Sequence, residues 1–118
     1  MQKENIIVTK TISFALAIIS YAELLEEKKK YIIARQLLKS GTSIGANMHE
    51  AQNSESKADF IHKVKLAAKE VEETKYWLTL CKKSESYPFE ESIEIQINEI
   101  GLIIYKILSS SKKASKIL

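Results

Sequence analysis

The sequence contains few of the residues that interrupt or cross-link a fold. Its 118 residues include three glycines, one proline and one cysteine, Cys81. A lone cysteine excludes an internal disulfide, and so little glycine and proline leaves few breaks between long helices. The sequence also shows no strand-like alternation. We therefore expect a single all-α domain, residues 1–118, that folds without disulfides, metal or cofactor.

Arginine and long uncharged runs are also scarce. Seventeen lysines and Arg35 outnumber the 15 acidic residues, which gives a net charge of +3. This excess permits an acidic partner without requiring one. Near the N-terminus, Ser13, Ser20 and Glu23 interrupt the apolar residues. We expect neither a membrane span nor a signal peptide, and we predict a cytoplasmic protein.

Hydrophobic period and turn residues predict four helices, at about 5–27, 31–52, 56–83 and 89–113. Ser56 followed by Asp59 resembles a capping box at the start of the third helix. Pro88 suits the first turn of the fourth. Helices of similar length joined by short turns predict an antiparallel up-down-up-down four-helix bundle.

The first and last helices are apolar over more than one face. In the first helix, a stripe with Phe14 and Ile18 lies beside one with Ile12 and Ile19, and in the last, Ile95 and Leu102 lie beside the core stripe. Helices with so wide an apolar surface usually have two partners. We expect the second partner to be another copy of the chain.

The second predicted helix carries small and polar residues where core packing favours leucine. Gly41 and Gly45 lie four residues apart on one face. A glycine inside a helix costs about 0.8 to 1.0 kcal/mol relative to alanine, so the pair indicates a close approach by another group. Trp77, on the third helix, is the candidate.

A polar set follows the glycines. Its members share one face of each helix: Ser43, Asn47 and Glu50 on the second, and Glu70, Glu73 and Trp77 on the third. These residues either form a satisfied network within or between bundles, or the carboxylates point to solvent and only Asn47 is buried. Both interpretations remain open from the sequence.

Catalytic and metal-binding patterns are not formed. Asp59 and His62 make the only acidic-x-x-His pair, whereas a di-iron bundle needs carboxylates from four helices. The stretch Gly41–Gly45 lacks the lysine of a phosphate loop. Cys81 continues the core seam of the third helix and reads as a core residue. We expect no enzyme.

Lysines collect where the bundle ends are expected. Lys28, Lys29, Lys30, Lys82 and Lys83 share one end, and Lys57, Lys112, Lys113 and Lys116 share the other. Lysines at helix C-termini complement the helix dipole, which is the alternative explanation. Repetition around a ring would turn each group into a basic surface, so these lysines are the candidate nucleic-acid-binding residues.

The stretch Arg35–Cys81 resembles the signature region of the bacterial 23S rRNA intervening-sequence proteins. The matching segments include Ser43–Asn47, Glu50–Ala51, Asp59–Phe60, Ala67–Glu70, Glu73–Thr74 and Tyr76–Leu78. Met48 departs from the more usual aliphatic residue. The resemblance implies a ring-shaped homo-pentamer, kinship with the nucleic-acid-binding accessory protein of diversity-generating retroelements, and no catalytic residues.

Two functions follow from the lysines and this resemblance. The first is a non-enzymatic, oligomeric scaffold that binds the backbone of RNA or DNA with little sequence specificity. The alternative is an adaptor ring that recruits a partner protein such as a reverse transcriptase.

Overall fold

The computed structural model describes residues 5–117, with side chains described for residues 5–112. Its helices are α1 (Ile6–Glu27), α2 (Tyr31–Ala51), α3 (Lys57–Lys83) and α4 (Glu91–Ile117), and this part of the chain contains no strand. α1 packs against α2 and α4, and α3 also packs against both. The prediction of an all-α chain with four helices is confirmed.

Contacts between neighbouring helices define their relative directions. For each pair of neighbouring helices, residue numbers rise along one helix as they fall along the other. The contacts that show this are Ile18–Gly41 and Thr11–Gly45 for α1 and α2, Ser40–Thr74 and Glu50–Lys63 for α2 and α3, and Glu72–Tyr105 and Lys82–Glu94 for α3 and α4. Between α1 and the last part of the chain they are Lys10–Glu99 and Tyr21–Pro88, where Pro88 comes just before α4.

The buried stripes match closely the seams that hydrophobic spacing predicts. These seams are Phe60, Val64, Ala67, Val71, Thr74, Leu78 and Cys81 on the third helix, and Ile93, Ile97, Ile100, Ile104 and Ile107 on the fourth. α3 buries Val64, Ala67, Val71, Thr74, Leu78 and Cys81, and α4 buries Ile93, Ile97, Ile100 and Ile104. Phe60 and Ile107, at the ends of these seams, are only partly buried. On α1 the buried stripe contains Ile7, Phe14, Ile18, Tyr21 and Leu25. Ile12 and Ile19 of the same helix remain exposed.

The N-terminus of α3 is capped as the sequence predicts. The Ser56 hydroxyl accepts the Asp59 amide at 3.0 Å. The Asp59 carboxylate accepts the Glu55 amide at 3.1 Å, instead of the Ser56 amide that a capping box would use. Two otherwise unpaired amides are thereby satisfied at the turn into α3.

The start and end of α4 differ from the prediction. The helix begins at Glu91 instead of residue 89 and continues to Ile117 instead of residue 113. Pro88 therefore precedes the first turn. Its carbonyl accepts the Tyr21 hydroxyl at 2.6 Å, and Phe89 packs against the core, so both residues are held in a connection that is not helical.

The two glycines of α2 face α1. A Cβ on Gly41 would lie 2.9 Å from Cγ2 of Ile18, and a Cβ on Gly45 would lie 3.2 Å from Cβ of Thr11. The prediction of a close approach is confirmed, but Trp77 is the wrong partner. Trp77 lies on α3, which packs on the other flank of α2, where Ser40 contacts Thr74 of α3.

α1 is long and apolar enough to cross a bilayer by length and composition alone, with a mean hydropathy of 1.5 over its most apolar 18 residues. The interruptions at Ser13, Ser20 and Glu23 therefore do not exclude a span on those criteria. In the structure, a third of that stretch is buried inside the bundle. A packed core helix passes the same criteria.

The turn between α1 and α2 holds the one non-glycine residue with a positive φ in the described chain, Lys29 at 63°. The Lys30 amide donates to the Leu25 carbonyl at 2.8 Å, and the Lys29 amide donates to the Glu26 carbonyl at 2.9 Å. This pair of bonds is the Schellman motif, whose left-handed position glycine usually occupies.

We expect Lys29→Gly to stabilise the protein by about 0.5 to 1 kcal/mol, because the left-handed conformation costs a side-chain-bearing residue about 1 to 2 kcal/mol and glycine's extra backbone entropy offsets part of the gain. Thermal unfolding should show a melting temperature higher by a few degrees. Lys28→Gly, at φ −87°, is the control and should not stabilise. An unchanged or lower melting temperature for Lys29→Gly would contradict the view that the left-handed backbone at Lys29 is strained.

We expect Gly41→Ala to destabilise the fold by about 1 kcal/mol or more. Alanine gains up to about 1 kcal/mol in helix propensity, but its methyl must displace the stiff, fully buried Ile18, and overpacking typically costs about 1 to 3 kcal/mol. Urea unfolding measures the difference. Gly45→Ala, with the looser 3.2 Å contact, should be milder. A stabilised Gly41→Ala variant would disprove the close packing.

Candidate functional site

The α2–α3 flank comprises Ser43, Asn47 and Glu50 of α2 and Glu70, Glu73 and Trp77 of α3. Asn47 donates to the Ser43 carbonyl of its own helix at 3.0 Å, and the Ser43 hydroxyl donates to the Lys39 carbonyl at 2.6 Å. The Trp77 indole donates to Glu73 at 3.3 Å, also within one helix. These contacts do not join Asn47 to the carboxylates of α3, so a network within one bundle is not formed.

The carboxylates on this flank differ in environment. Glu50 and Glu73 are exposed, and Glu50 pairs with Lys63 at 2.8 Å, which raises the pKa of that lysine. Glu70 is half-buried, and its pKa is raised first by burial and then by neighbouring Glu73. Asn47 is half-buried as well. Of the two interpretations, the one in which the carboxylates point to solvent therefore holds for Glu50 and Glu73. Glu70 and Asn47 are half-buried, so neither interpretation describes them fully.

A polar contact within the core joins the two helices that carry this flank. The Thr74 hydroxyl lies 2.9 Å from the Ser40 hydroxyl, and both side chains are buried. Thr74 also donates to the Glu70 carbonyl at 2.7 Å. Helical spacing predicts an inward position for each residue, but spacing within one helix cannot pair residues of two helices. Ser40 is thus a buried group with a partner, and nothing around it indicates a ligand.

The first group of candidate lysines is brought together at one end of the bundle. The Lys30 ammonium lies 5.0 Å from the centre of the Tyr87 ring, which places the α1–α2 turn beside the α3–α4 connection. Lys82 pairs with Glu94 at 2.9 Å. Lys28, Lys29 and Lys83 are exposed. Exposed acids interleave with these lysines in the sequence at this end: Glu26, Glu27, Glu85, Glu90 and Glu91.

The first end therefore carries mixed charge, and its lysines do not form a purely basic surface. Of the second group, Lys57 and Lys112 are exposed, while the side chains of Lys113 and Lys116 lie outside the described residues. The contact between Glu72 and Tyr105 fixes the register of α3 against α4. Continued along both helices, this register places Lys112 level with Lys65.

The structure adds a basic surface that sequence analysis missed. Lys65, Lys69, Tyr76 and Lys83 are all exposed and follow one another on α3 at spacings of four, seven and seven residues, so they share one side of the helix. We call them the α3 lysine face. The same spacing is present in the sequence, but it runs along the side of one helix, whereas the predicted lysine groups lie at the bundle ends.

Two exposed glutamates, Glu72 and Glu73, lie on the same side of α3 and keep their negative charge. Glu72 accepts the Tyr105 hydroxyl at 2.6 Å, which raises the pKa of Tyr105 to about 12, and Glu73 accepts the Trp77 indole. The Tyr76 ring stands edge-on to Trp77 with centroids 5.1 Å apart, and its side chain is 57% exposed. Three lysines against two glutamates leave this side of α3 with a small positive excess beside one exposed ring, a combination that suits a polyanion.

Two apolar surfaces remain outside the core. The α1–α2 groove, about 290 Å³, has Val8, Ile12 and Leu16 on one wall and Thr42, Gly45 and His49 on the other. The α4 ridge consists of Ile95 and Leu102, seven residues apart and 63% and 74% exposed. The prediction of surplus apolar surface on the first and last helices is confirmed.

The described side chains offer no reactive centre. Within residues 5–112, no group of three or more His, Cys, Asp and Glu side chains is arranged to hold a metal. Burial raises the pKa of the Cys81 thiol, which opposes formation of a reactive thiolate. The same part of the chain contains no buried side-chain polar atom without a hydrogen-bond partner.

Comparison with known proteins agrees with this architecture. A crystallised protein of unknown function from the S23 ribosomal protein family of Bacteroides thetaiotaomicron VPI-5482 is 40% identical to this chain, with a TM-score of 0.81. The match covers 86% of this chain and 97% of that one. No curated protein matches. The sequence model of the 23S rRNA-intervening sequence proteins matches residues 3–106, and the chain therefore belongs to that family.

Proposed function

We propose that this protein is a non-enzymatic, oligomeric scaffold that binds the phosphate backbone of RNA or DNA with little sequence specificity. The observation that carries the proposal is the α3 lysine face, where Lys65, Lys69 and Lys83 have no ion pair among the described residues. Phosphate backbones bind such lysines in proportion to the number of charges neutralised.

The length of the face fits a backbone contact. Lys65 and Lys83 lie 18 residues apart, which is five helical turns, or about 27 Å at 1.5 Å per residue. Exposed Lys112 lies level with Lys65 on the adjacent helix and widens this face. The candidate lysines of the two bundle ends, Lys28, Lys29 and Lys57 among them, are exposed and would extend the contact.

Assembly would multiply a modest charge. A net charge of +3 on one copy gives a weak field, whereas a ring of copies repeats the α3 lysine face around its circumference. The α1–α2 groove and the α4 ridge support assembly, because each leaves large apolar side chains in solvent in a single copy. We propose a ring, a pentamer by the family resemblance, of up-down-up-down bundles, a topology that the contact registers of neighbouring helices support.

The contacts of the candidate groups support a non-enzymatic role. The two threonines of the α1–α2 groove, Thr11 and Thr42, donate their hydroxyls to carbonyls of their own helices. On the α2–α3 flank, Glu73 accepts the Trp77 indole and Glu50 pairs with Lys63. Binding through lysines needs none of these groups.

An adaptor function is the second candidate. The α2–α3 flank presents Trp77 partly exposed beside exposed Leu80, with the half-buried Glu70 nearby. Aromatic residues of this kind are enriched in protein interfaces. The partner would be a protein, such as the reverse transcriptase that the family resemblance suggests. Capture of a host protein that persists after nuclease treatment, with no binding of RNA in the assay below, would favour this function.

Filter binding of structured RNA across a salt series tests the leading proposal. We expect measurable affinity at low salt and a linear fall of log affinity with log salt. The double variant Lys65→Gln/Lys69→Gln should weaken binding and reduce the steepness of that fall by about one to two units, because each phosphate contact contributes about 0.7 to 0.9 units.

The matched control is Lys10→Gln/Lys63→Gln. It removes the same charge from two lysines that are paired with Glu99 and Glu50 and are not candidate binding residues, so the loss should be smaller. Binding that is absent at low salt, or that does not respond to salt, contradicts the proposal. Equal losses in the two double variants would mean that net charge matters and that the α3 lysine face is not the site.

A further inference from the structure

The two exposed apolar surfaces of the chain differ in shape. The α1–α2 groove is concave and lies between two helices, and Gly45, which has no side chain, is part of its α2 wall. The α4 ridge is convex, since Ile95 and Leu102 project from the outward side of one helix. A groove and a ridge complement each other, whereas two grooves do not.

The two surfaces also lie at the same level along the bundle. Lys10 of α1 pairs with Glu99 of α4, and Tyr21 bonds to Pro88, three residues before α4 begins. The two helices therefore run antiparallel, and the Lys10–Glu99 pair sets their register. Four residues from the first pair, that register places Ile95 level with Phe14. Phe14 falls between Ile12 and Leu16 in the sequence, and both of these line the groove. Three residues beyond Glu99, Leu102 is level with Ile7, next to Val8 of the groove.

We infer that the α4 ridge of one copy inserts into the α1–α2 groove of the next copy, side by side and in the same direction. This inference rests on the assembly in the proposed function and names its interface. The second copy is favoured over another protein because one chain carries both complementary surfaces at one level. Ile95 would enter between Ile12 and Leu16 and meet the open backbone at Gly45.

This interface is heterologous, since two different patches meet. A heterologous contact cannot close a dimer on itself; it continues until a ring closes or a filament forms. The ridge and the groove belong to different helices, so each copy has one donor and one acceptor surface. The α3 lysine face uses neither surface and stays accessible in the assembled state.

Cysteine cross-linking tests the pairing directly. Leu16→Cys and Ile95→Cys introduce thiols at side chains of similar exposure, 61% and 63%. Native Cys81 is buried, and the unsubstituted chain with the reagent serves as the background control. A short bifunctional maleimide tolerates a few ångströms of offset between thiols. Single variants are co-expressed so that mixed assemblies form before the reagent is added.

We expect no product from either single variant alone and one cross-linked dimer from the co-expressed pair. A chain that carries both substitutions should give a ladder that ends at the ring size. The control double variant, Leu16→Cys/Ile32→Cys, uses a thiol at the 76% exposed Ile32 on the other flank of α2 and should give no ladder.

Contrary outcomes distinguish a wrong interface from a wrong assembly. A dimer from Leu16→Cys alone would mean that grooves face grooves, and equal products with the Ile32 control would mean random collision; either result overturns the inference. Absence of the mixed dimer, while gel filtration of the untreated chain shows an oligomer, also overturns it and leaves the proposed scaffold standing. A monomer on gel filtration defeats the proposed assembly itself.

Discussion

The close contact of α1 with α2 at Gly41 and Gly45 is the constraint on which the rest of the structure depends. Without side chains there, Ile18 and Thr11 of α1 lie against the backbone of α2. Fixing Ile18 in that contact fixes the rotation of α1 about its axis, because successive residues of a helix are about 100° apart. The stripe that contains Phe14 and Leu25 then faces the core and is fully buried.

The same rotation determines what stays outside. Ile12, Leu16 and Ile19 belong to the neighbouring stripe of α1, and burial of Ile18 leaves them 39% to 61% exposed. A bundle that leaves such residues in solvent as a monomer is expected to cover them by association. Both glycines of α2 admit α1 closely, and Gly45 is also part of the groove wall. The contact that orients α1 in the fold therefore also shapes the surface proposed for assembly.

Much of the fold follows from sequence patterns that operate within one helix. The seam of α3, from Val64 to Cys81, and the Ser56 cap depend on residues a few positions apart, so their spacing predicts them. What spacing cannot supply is which of two apolar stripes meets a given neighbour. Trp77 was the wrong partner for the glycines for this reason, and Pro88 precedes α4 because the Tyr21 hydroxyl, distant in sequence, bonds to its carbonyl. The candidate site was predicted less well. The lysines at one end are interleaved with glutamates, and the α3 lysine face runs along the side of a helix, where no turn or break in the sequence marks it.

We propose that the chain works as an assembly of identical bundles, and its molar mass in solution is the decisive test. Light scattering on the purified chain at micromolar concentration should report a single species at a whole multiple of 13.4 kDa, five in the ring that the family resemblance suggests. The molar mass should not fall on dilution, because subunits joined by apolar interfaces of this kind dissociate little. A stable species of 13.4 kDa would contradict the account, since the groove and the ridge would then remain uncovered and the lysine face would act only singly.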